Sequence, residues 1–330
     1  MKAKDILKFI FFFSVGFGIL FWMFKKTGIP FSDFIAAYTE LDYGWLALGI
    51  LLFFISHMMR TVRWQMQLEA TNEKATFKAT FSAMMAGYLM NYGIPRSGEV
   101  IKCGLLAKHQ NIPVSKVAGT AVADRIIDVV LLLIAIGVAF ILQFDLLYNY
   151  LKENANFTFD YAKLGILVAL FIALVIGFFL IRKKLEKYPI YKKIVSLLVG
   201  FKDGLLSIKD LKKPSLYILL SLSVWICYIL MNYAALKSFG PTTHLSISQA
   251  LLIFIFGSLG IIVPTPGGIG SFQFFTQQAI MLFGISADNG FIAGNIMFWP
   301  FVLANIILGG IGFFYISRNI IPDESTADKE

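Results

Sequence analysis

The sequence predicts an all-α, polytopic membrane protein with about six full spans plus two re-entrant broken-helix hairpins arranged as inverted repeats. Three observations predict it. Of the 330 residues, 58% are apolar and 15% charged, against about 45–50% and about 25% in ordinary soluble domains. Two apolar segments are interrupted by Pro/Gly breaks at membrane depth, and the basic residues are confined to particular connectors. The composition excludes a disordered chain, a disulfide scaffold and most soluble enzymes. The formal charge of +9 reads as connectors on an anionic membrane face rather than as a nucleic-acid surface.

A span needs about 20 mostly apolar residues. The run 6–24 is long and bulky for a signal-peptide core and lacks a small-x-small cleavage site, so it reads as a retained first helix. Spans follow at 43–59, 118–144, 161–181, 214–236 and 291–317. The segment 77–94 runs into Pro95-Arg96-Ser97-Gly98-Glu99 and resumes to about His109 as a second half-helix. The segment 247–263 runs into Pro264-Thr265-Pro266-Gly267-Gly268-Ile269-Gly270 and resumes from Ser271 to about Phe283. Between the halves, 188–210 places Ile190, Ile194, Leu197, Leu198, Phe201, Leu205 and Ile208 on one helical face with lysines opposite, an interfacial helix or a partner-docking one.

Charge counting decides what the broken segments do. Lys2, Lys4 and Lys8, the 60–78 connector with Arg60, Arg63, Lys74 and Lys78, and the 182–213 connector with ten basic residues should all be cytoplasmic. They share one face only if 77–109 and 247–283 each dip into the membrane and return. The expected organisation is an N-terminal span and external loop (1–42), a first unit (43–181) holding hairpin 77–109, and a basic amphipathic connector (182–213). A second, inverted unit (214–317) holds hairpin 247–283, and a polar tail (318–330) follows. Both termini are then cytoplasmic in the cell membrane, and the hairpin tips meet near the midplane, a transporter-like plan.

Chemistry-bearing motifs are sparse. There is no Walker loop, dinucleotide fingerprint, nucleophile elbow or HExxH, and no hydrophilic stretch long enough for a catalytic domain. Cys103 and Cys227 have no partner spacing, and His57, His109 and His244 form no ligand pattern, so no metal site, cofactor or enzyme activity is expected.

Gly87-Tyr88-Leu89-Met90-Asn91-Tyr92-Gly93-Ile94-Pro95-Arg96-Ser97-Gly98-Glu99, then Asp124-Arg125-Ile126-Ile127-Asp128, then Pro264 to Gly270, resemble the lysylphosphatidylglycerol synthase transmembrane, or flippase-like, family. Arg60-Thr61-Val62-Arg63-Trp64 is similar to the same pattern, and the resemblance spans roughly 43–317. It implies a helical membrane domain with two re-entrant hairpins that moves a polar lipid head group between leaflets. Bifunctional members carry a soluble aminoacyl transferase after this domain; the chain ends at Glu330, so a stand-alone member without that enzyme is expected. Two positions depart from the family: Gln273 stands where an acid is common, and Lys102 where arginine is common.

The candidate head-group residues are Arg96, Ser97, Glu99, Lys102, Asp124, Arg125, Asp128 and Gln273. A half-helix starting near Ser97 presents free N–H groups beside Arg96, a cradle for lipid phosphate. The plainer alternative is that Glu99 caps that helix and pairs with Arg96 or Lys102. Asp124 and Asp128 share a helical face within reach of Arg125, as ligands for a cationic group or proton, or as a structural ion network. Arg60 and Arg63 read mainly as anchors to cytoplasmic anionic lipid. Pro95, Gly98, Pro264, Pro266, Gly267, Gly268 and Gly270 form the backbone breaks. Asn295, Pro300 and Asn305 kink the last span and line the cavity, or simply bond across helices. The expected function is a flippase or scramblase for a polar or anionic (amino)phospholipid or polyprenyl-phosphate head group. Its expected partners are membrane lipids, with a homodimer left open and no nucleic acid. The rivals are a secondary transporter of a small soluble anion or amino acid, and a membrane-embedded lipid-carrier transferase.

Overall fold

The computed structural model describes residues 3–94, 96–155 and 207–318. The span expected over 161–181, the basic connector up to residue 206 with most of the amphipathic stretch, the tail beyond 318, and Pro95 lie outside the described residues. Among the described residues every element is helical: α1 (Ala3–Thr27), α2 (Phe31–Thr39), α3 (Tyr43–Ala70), α4 (Phe77–Gly93), α5 (Gly98–Gln110), α6 (Val114–Leu142), α7 (Phe144–Ala155), α8 (Pro214–Lys237), α9 (Ile247–Ile262), α10 (Ser271–Met281), α11 (Ala287–Ile296) and α12 (Trp299–Arg318). Helices α3, α6, α8 and the α11–α12 pair taken together are long and apolar enough to cross a membrane. The protein is a polytopic α-helical membrane protein. Leu51, Leu133, Ile141, Leu219, Ile307 and Ile311 are exposed, as a lipid-facing surface requires and a soluble one would not tolerate.

Local signals set the helix ends. Asp42 Oδ1 accepts from the Gly44 N–H at 2.9 Å to start α3, and Ser246 with Gln249 forms a reciprocal capping box at α9. The span expected to stop at residue 59 continues to Ala70, because Arg60 and Arg63 find partners inside the bundle. The span expected at 291–317 is two helices broken at Met297–Phe298. Pro300, at the second position of α12, suits a helix start and cannot continue α11.

Contacts at the helix ends sort the bundle into two poles. At one pole Lys116 pairs with Glu73 at 2.5 Å, the Thr76 N–H donates to Gln110 Oε1 at 3.0 Å, and the His109 ring lies 5.9 Å from Tyr315. The end of α3, both ends of the α4–α5 hairpin, the start of α6 and the end of α12 therefore lie together. At the other pole the Asp42 N–H donates to the Ser238 carbonyl at 2.9 Å, Gln143 Nε2 donates to Ser248 Oγ at 3.1 Å, and Gln277 Nε2 donates to the Ala287 carbonyl at 2.7 Å. That pole holds the starts of α3, α9 and α11 and the ends of α6, α8 and α10. Each hairpin thus enters and leaves at one pole, the two poles being opposite.

The antiparallel packing has a repeating logic. Helix α3 runs along α8, from Asp42 beside Ser238 to the Tyr217 hydroxyl donating to the Gln67 side-chain oxygen at 2.8 Å. Helix α12 lies on α4, the first arm of the first hairpin, and α6 on α9, the first arm of the second. Apolar helices in lipid gain little from burial alone, so close approach through small residues matters. A Cβ on Gly312 would lie 2.8 Å from the Ser82 carbonyl oxygen, whereas one on Gly310 would meet nothing. Gly312→Ala should therefore cost about 1–3 kcal/mol through overpacking, whereas Gly310→Ala should be neutral or stabilising by up to ~1 kcal/mol. Thermal unfolding in detergent reads the difference; equal Tm values for the two variants would refute this packing.

Candidate functional site

The C-terminal half of α3 presents Arg60, Arg63, Trp64 and Gln67 at helical spacing, all buried. One turn of α6 presents Asp124 and Asp128 opposite them. Arg63 Nη2 lies 2.7 Å from Asp124 and 2.8 Å from Asp128, and Arg60 Nη2 lies 3.3 and 3.1 Å from the same carboxylates. Helix α8 completes the cluster: Arg60 Nη1 donates to the Tyr228 hydroxyl at 2.8 Å, and Arg63 Nη1 to Ser221 Oγ at 3.4 Å. Tyr217, Ser221 and Tyr228, spaced four and seven apart on an otherwise apolar span, were the sequence signal for these partners; residue-type counting passes over them.

This arrangement corrects the surface role expected of Arg60 and Arg63. Neither faces head groups at the leaflet surface; both are committed to carboxylates inside the bundle. Asp124 and Asp128 are correspondingly engaged, in the ion-network arrangement that was the alternative to a ligand role.

From the cluster the charge runs outward along the first hairpin. Arg125 reaches Asp128 at 3.8 Å and bonds Glu99, whose other oxygen holds Lys102 at 2.7 Å. Lys102 is buried, its ammonium 4.8 Å over the Trp64 ring, so it backs Glu99 rather than meeting a ligand. At the tip, Arg96 adopts a left-handed backbone (φ 64°), uncommon for a side-chain-bearing residue. Its guanidinium donates to the Ile262 carbonyl at 3.0 Å, joining the two hairpins. Asn91 Oδ1 accepts from the Gly98 N–H at 2.9 Å. The Ser97 hydroxyl donates to the Ile94 carbonyl at 2.8 Å, so it closes the turn instead of facing a head group.

On the second hairpin, Gln273 is fully buried and accepts from the Gly270 N–H at 2.9 Å. It caps its own half-helix and does not line the space between the tips. Gly267 (φ 59°) lies so close to Tyr92 that a Cβ would overlap the ring, and Gly270 (φ 82°) abuts the α1 backbone at Gly16. Pro266 and Gly268 are buried in the break.

Between the tips lies a cavity of about 420 Å³ walled by Tyr88, Asn91, Tyr92, Arg96, Glu99, Arg125, Pro264, Gly267 and Gly268, among others. Of the expected head-group residues it gathers Arg96, Glu99 and Arg125. Tyr88, Asn91 and Tyr92 had no individual role in the sequence reading; their spacing on the arm leading into the break was the available signal. Four cations (Arg60, Arg63, Lys102, Arg125) meet three carboxylates (Glu99, Asp124, Asp128) in the cluster, and Arg96 adds a further positive charge at the rim. Such a site favours an anion. Among the described residues no group of His, Cys, Asp and Glu has a metal-binding arrangement.

A family described as the lysylphosphatidylglycerol synthase TM region matches residues 6–307. Similar proteins include UPF0104 membrane proteins of Methanocaldococcus jannaschii (25% identity; 68% of this chain and 93% of the relative), Pyrococcus horikoshii (23%; 81% and 87%) and Methanothermobacter thermautotrophicus (22%; 95% and 94%). No solved structure matches the chain.

Removing Arg63 alone leaves two buried carboxylates against Arg60, which should cost about 3–5 kcal/mol. Removing Arg63 and Asp124 together leaves the Arg60–Asp128 pair (3.1 Å) neutral. Arg63→Leu/Asp124→Leu should therefore unfold at a higher temperature than Arg63→Leu. A double variant whose losses simply add would show that the four groups do not act as a unit.

Proposed function

The chain belongs to the lysylphosphatidylglycerol synthase TM region family, and on that premise we propose that it is a lipid translocase that passes a phosphate-bearing head group between the hairpin tips. The observation that carries this reading is the cavity itself: a space of about 420 Å³ with Arg96 and Arg125 in its wall, placed where two discontinuous helices meet. Beside it Ile94, Val100, Ile261 and Ile262 are exposed. Guanidinium groups match phosphate oxygens in a planar fork, and an apolar flank keeps acyl chains in lipid while the head group enters. Arg125 exchanges Glu99 for the phosphate, and Lys102 keeps the released carboxylate paired.

The protein acts as a carrier in this reading, not as an enzyme. By the positive-inside rule the pole carrying Lys116, Lys212 and Arg318 faces the cytoplasm of the cell membrane, and the same rule, applied to Lys2, Lys4 and Lys8, favours a cytoplasmic N-terminus. The native Cys103 and Cys227 are buried, so engineered cysteines can report topology. Cysteines at Lys187 or Lys202 should react with permeant but not impermeant maleimide in intact cells; labelling by the impermeant reagent would reverse the orientation.

The transport claim is tested in proteoliposomes with fluorescent phosphatidylglycerol and phosphatidylcholine. Arg96→Ala and Arg125→Ala should each slow phosphatidylglycerol translocation about tenfold or more, the loss of a charge-assisted contact of ~1.5–3 kcal/mol, with the fold retained. Wild-type rates in both variants would remove the arginines from the path. Uptake of inorganic phosphate with no lipid movement would favour a soluble-anion carrier.

A further inference from the structure

His57 is a buried side chain, 5% exposed, and neither of its ring nitrogens has a hydrogen-bond partner. A buried donor and acceptor left unmade are costly, and each such group calls for an explanation. Packing does not supply one. The imidazole stands edge-on to Phe53 at 4.3 Å and tilted against Tyr88 at 5.1 Å, a place that phenylalanine fills equally well.

Its surroundings couple it to the cavity. Tyr88 of α4 touches His57 with its ring and lines the cavity. The charged group facing His57 is Arg60, one turn along α3. Arg60 is bonded in turn to Tyr228 of α8 and to Asp124 and Asp128 of α6. Phe53 separates His57 from α12, where Phe301 follows. Protonating His57 in the empty cavity adds a charge to a cluster already positive in excess. An anion held at Arg96 and Arg125 lowers that excess and with it the cost of the added proton.

We propose that His57 is a proton site linked to cavity occupancy: neutral when the cavity is empty, it takes a proton from solvent when an anionic head group binds and gives it back when the head group leaves. Proton and lipid then move through the cycle together. The proposal rests on the head-group reading above and adds a driving ion to it.

The test uses the full chain in phosphatidylcholine nanodiscs and dihexanoyl phosphatidylglycerol, whose single phosphodiester does not titrate across about pH 5–8, where histidine does. Calorimetry in buffers of different ionisation enthalpy counts protons taken up per lipid bound. Wild type should take up as much as one proton, with affinity rising up to tenfold per unit fall in pH. His57→Phe and His57→Gln should bind the lipid with no uptake and a flat pH profile. Uptake that persists in both variants, wild-type binding without uptake, or loss of binding in both variants at every pH overturns the assignment. Failure of the wild type to bind phosphatidylglycerol overturns the head-group reading, and this inference with it.

Discussion

Four charged side chains between α3 and α6 hold the bundle in register. Arg60 and Arg63 on one helix face Asp124 and Asp128 on the other, with contacts of 2.7–3.3 Å. An unpaired charge at membrane depth is expensive, so a slide or turn of either helix that separates the set is penalised far more steeply than a slip between apolar surfaces. Because Tyr228 and Ser221 of α8 bond the same arginines, three helices are fixed by one cluster. The first hairpin is then positioned by extension: Arg125, next to Asp124 in sequence, holds Glu99 of α5, and Glu99 holds Lys102.

The second constraint is backbone. Non-helical chain inside a membrane must be satisfied by protein or by a wet cavity, and each break does this differently. The first closes its tip with side chains, Asn91 and Ser97 bonding main-chain groups on either side of it. The second uses glycine at φ 59°, 86° and 82° and lets Tyr92 and α1 press directly on its backbone. The tips are joined by Arg96 to the Ile262 carbonyl, a bond between a charged donor and a neutral main-chain acceptor for which the phosphate of the proposed ligand would compete. The permanent anchors thus lie deep in the bundle and the exchangeable contacts at the cavity.

Much of this was legible in the sequence because the breaks are spelled in Pro and Gly, whose backbone restrictions act locally. The two hairpins, the long α6 and the cavity residues Arg96, Glu99 and Arg125 follow from such signals. What was not legible depends on partners distant in sequence. Arg60 and Arg63 resemble inner-leaflet anchors until α6 is placed opposite them, and Gln273 resembles a ligand until it folds back onto Gly270. The break at Met297–Phe298 was hidden for the opposite reason: the run is apolar throughout, and only Pro300 marked where a new helix begins.

Charge and exposure together narrow the kind of molecule that suits the cavity. A small soluble anion needs cations and a hydrated route from either pole, but makes no use of exposed isoleucine and valine beside the binding residues. An amphiphile uses both. Its phosphate meets the positive excess that the buried cluster cannot neutralise internally, and its chains cover Ile94, Val100, Ile261 and Ile262, which are otherwise unpaired apolar surface next to charge. The same geometry explains why Glu99 sits at the rim with two cations. In the proposed cycle Glu99 keeps Arg125 and Lys102 from repelling each other while the cavity is empty, and it would still have Lys102 with a phosphate present, so neither state would leave a bare carboxylate in the cavity. Keeping Glu99 paired in both states lowers the cost of releasing the ligand, which the proposed translocation path requires and a storage site does not.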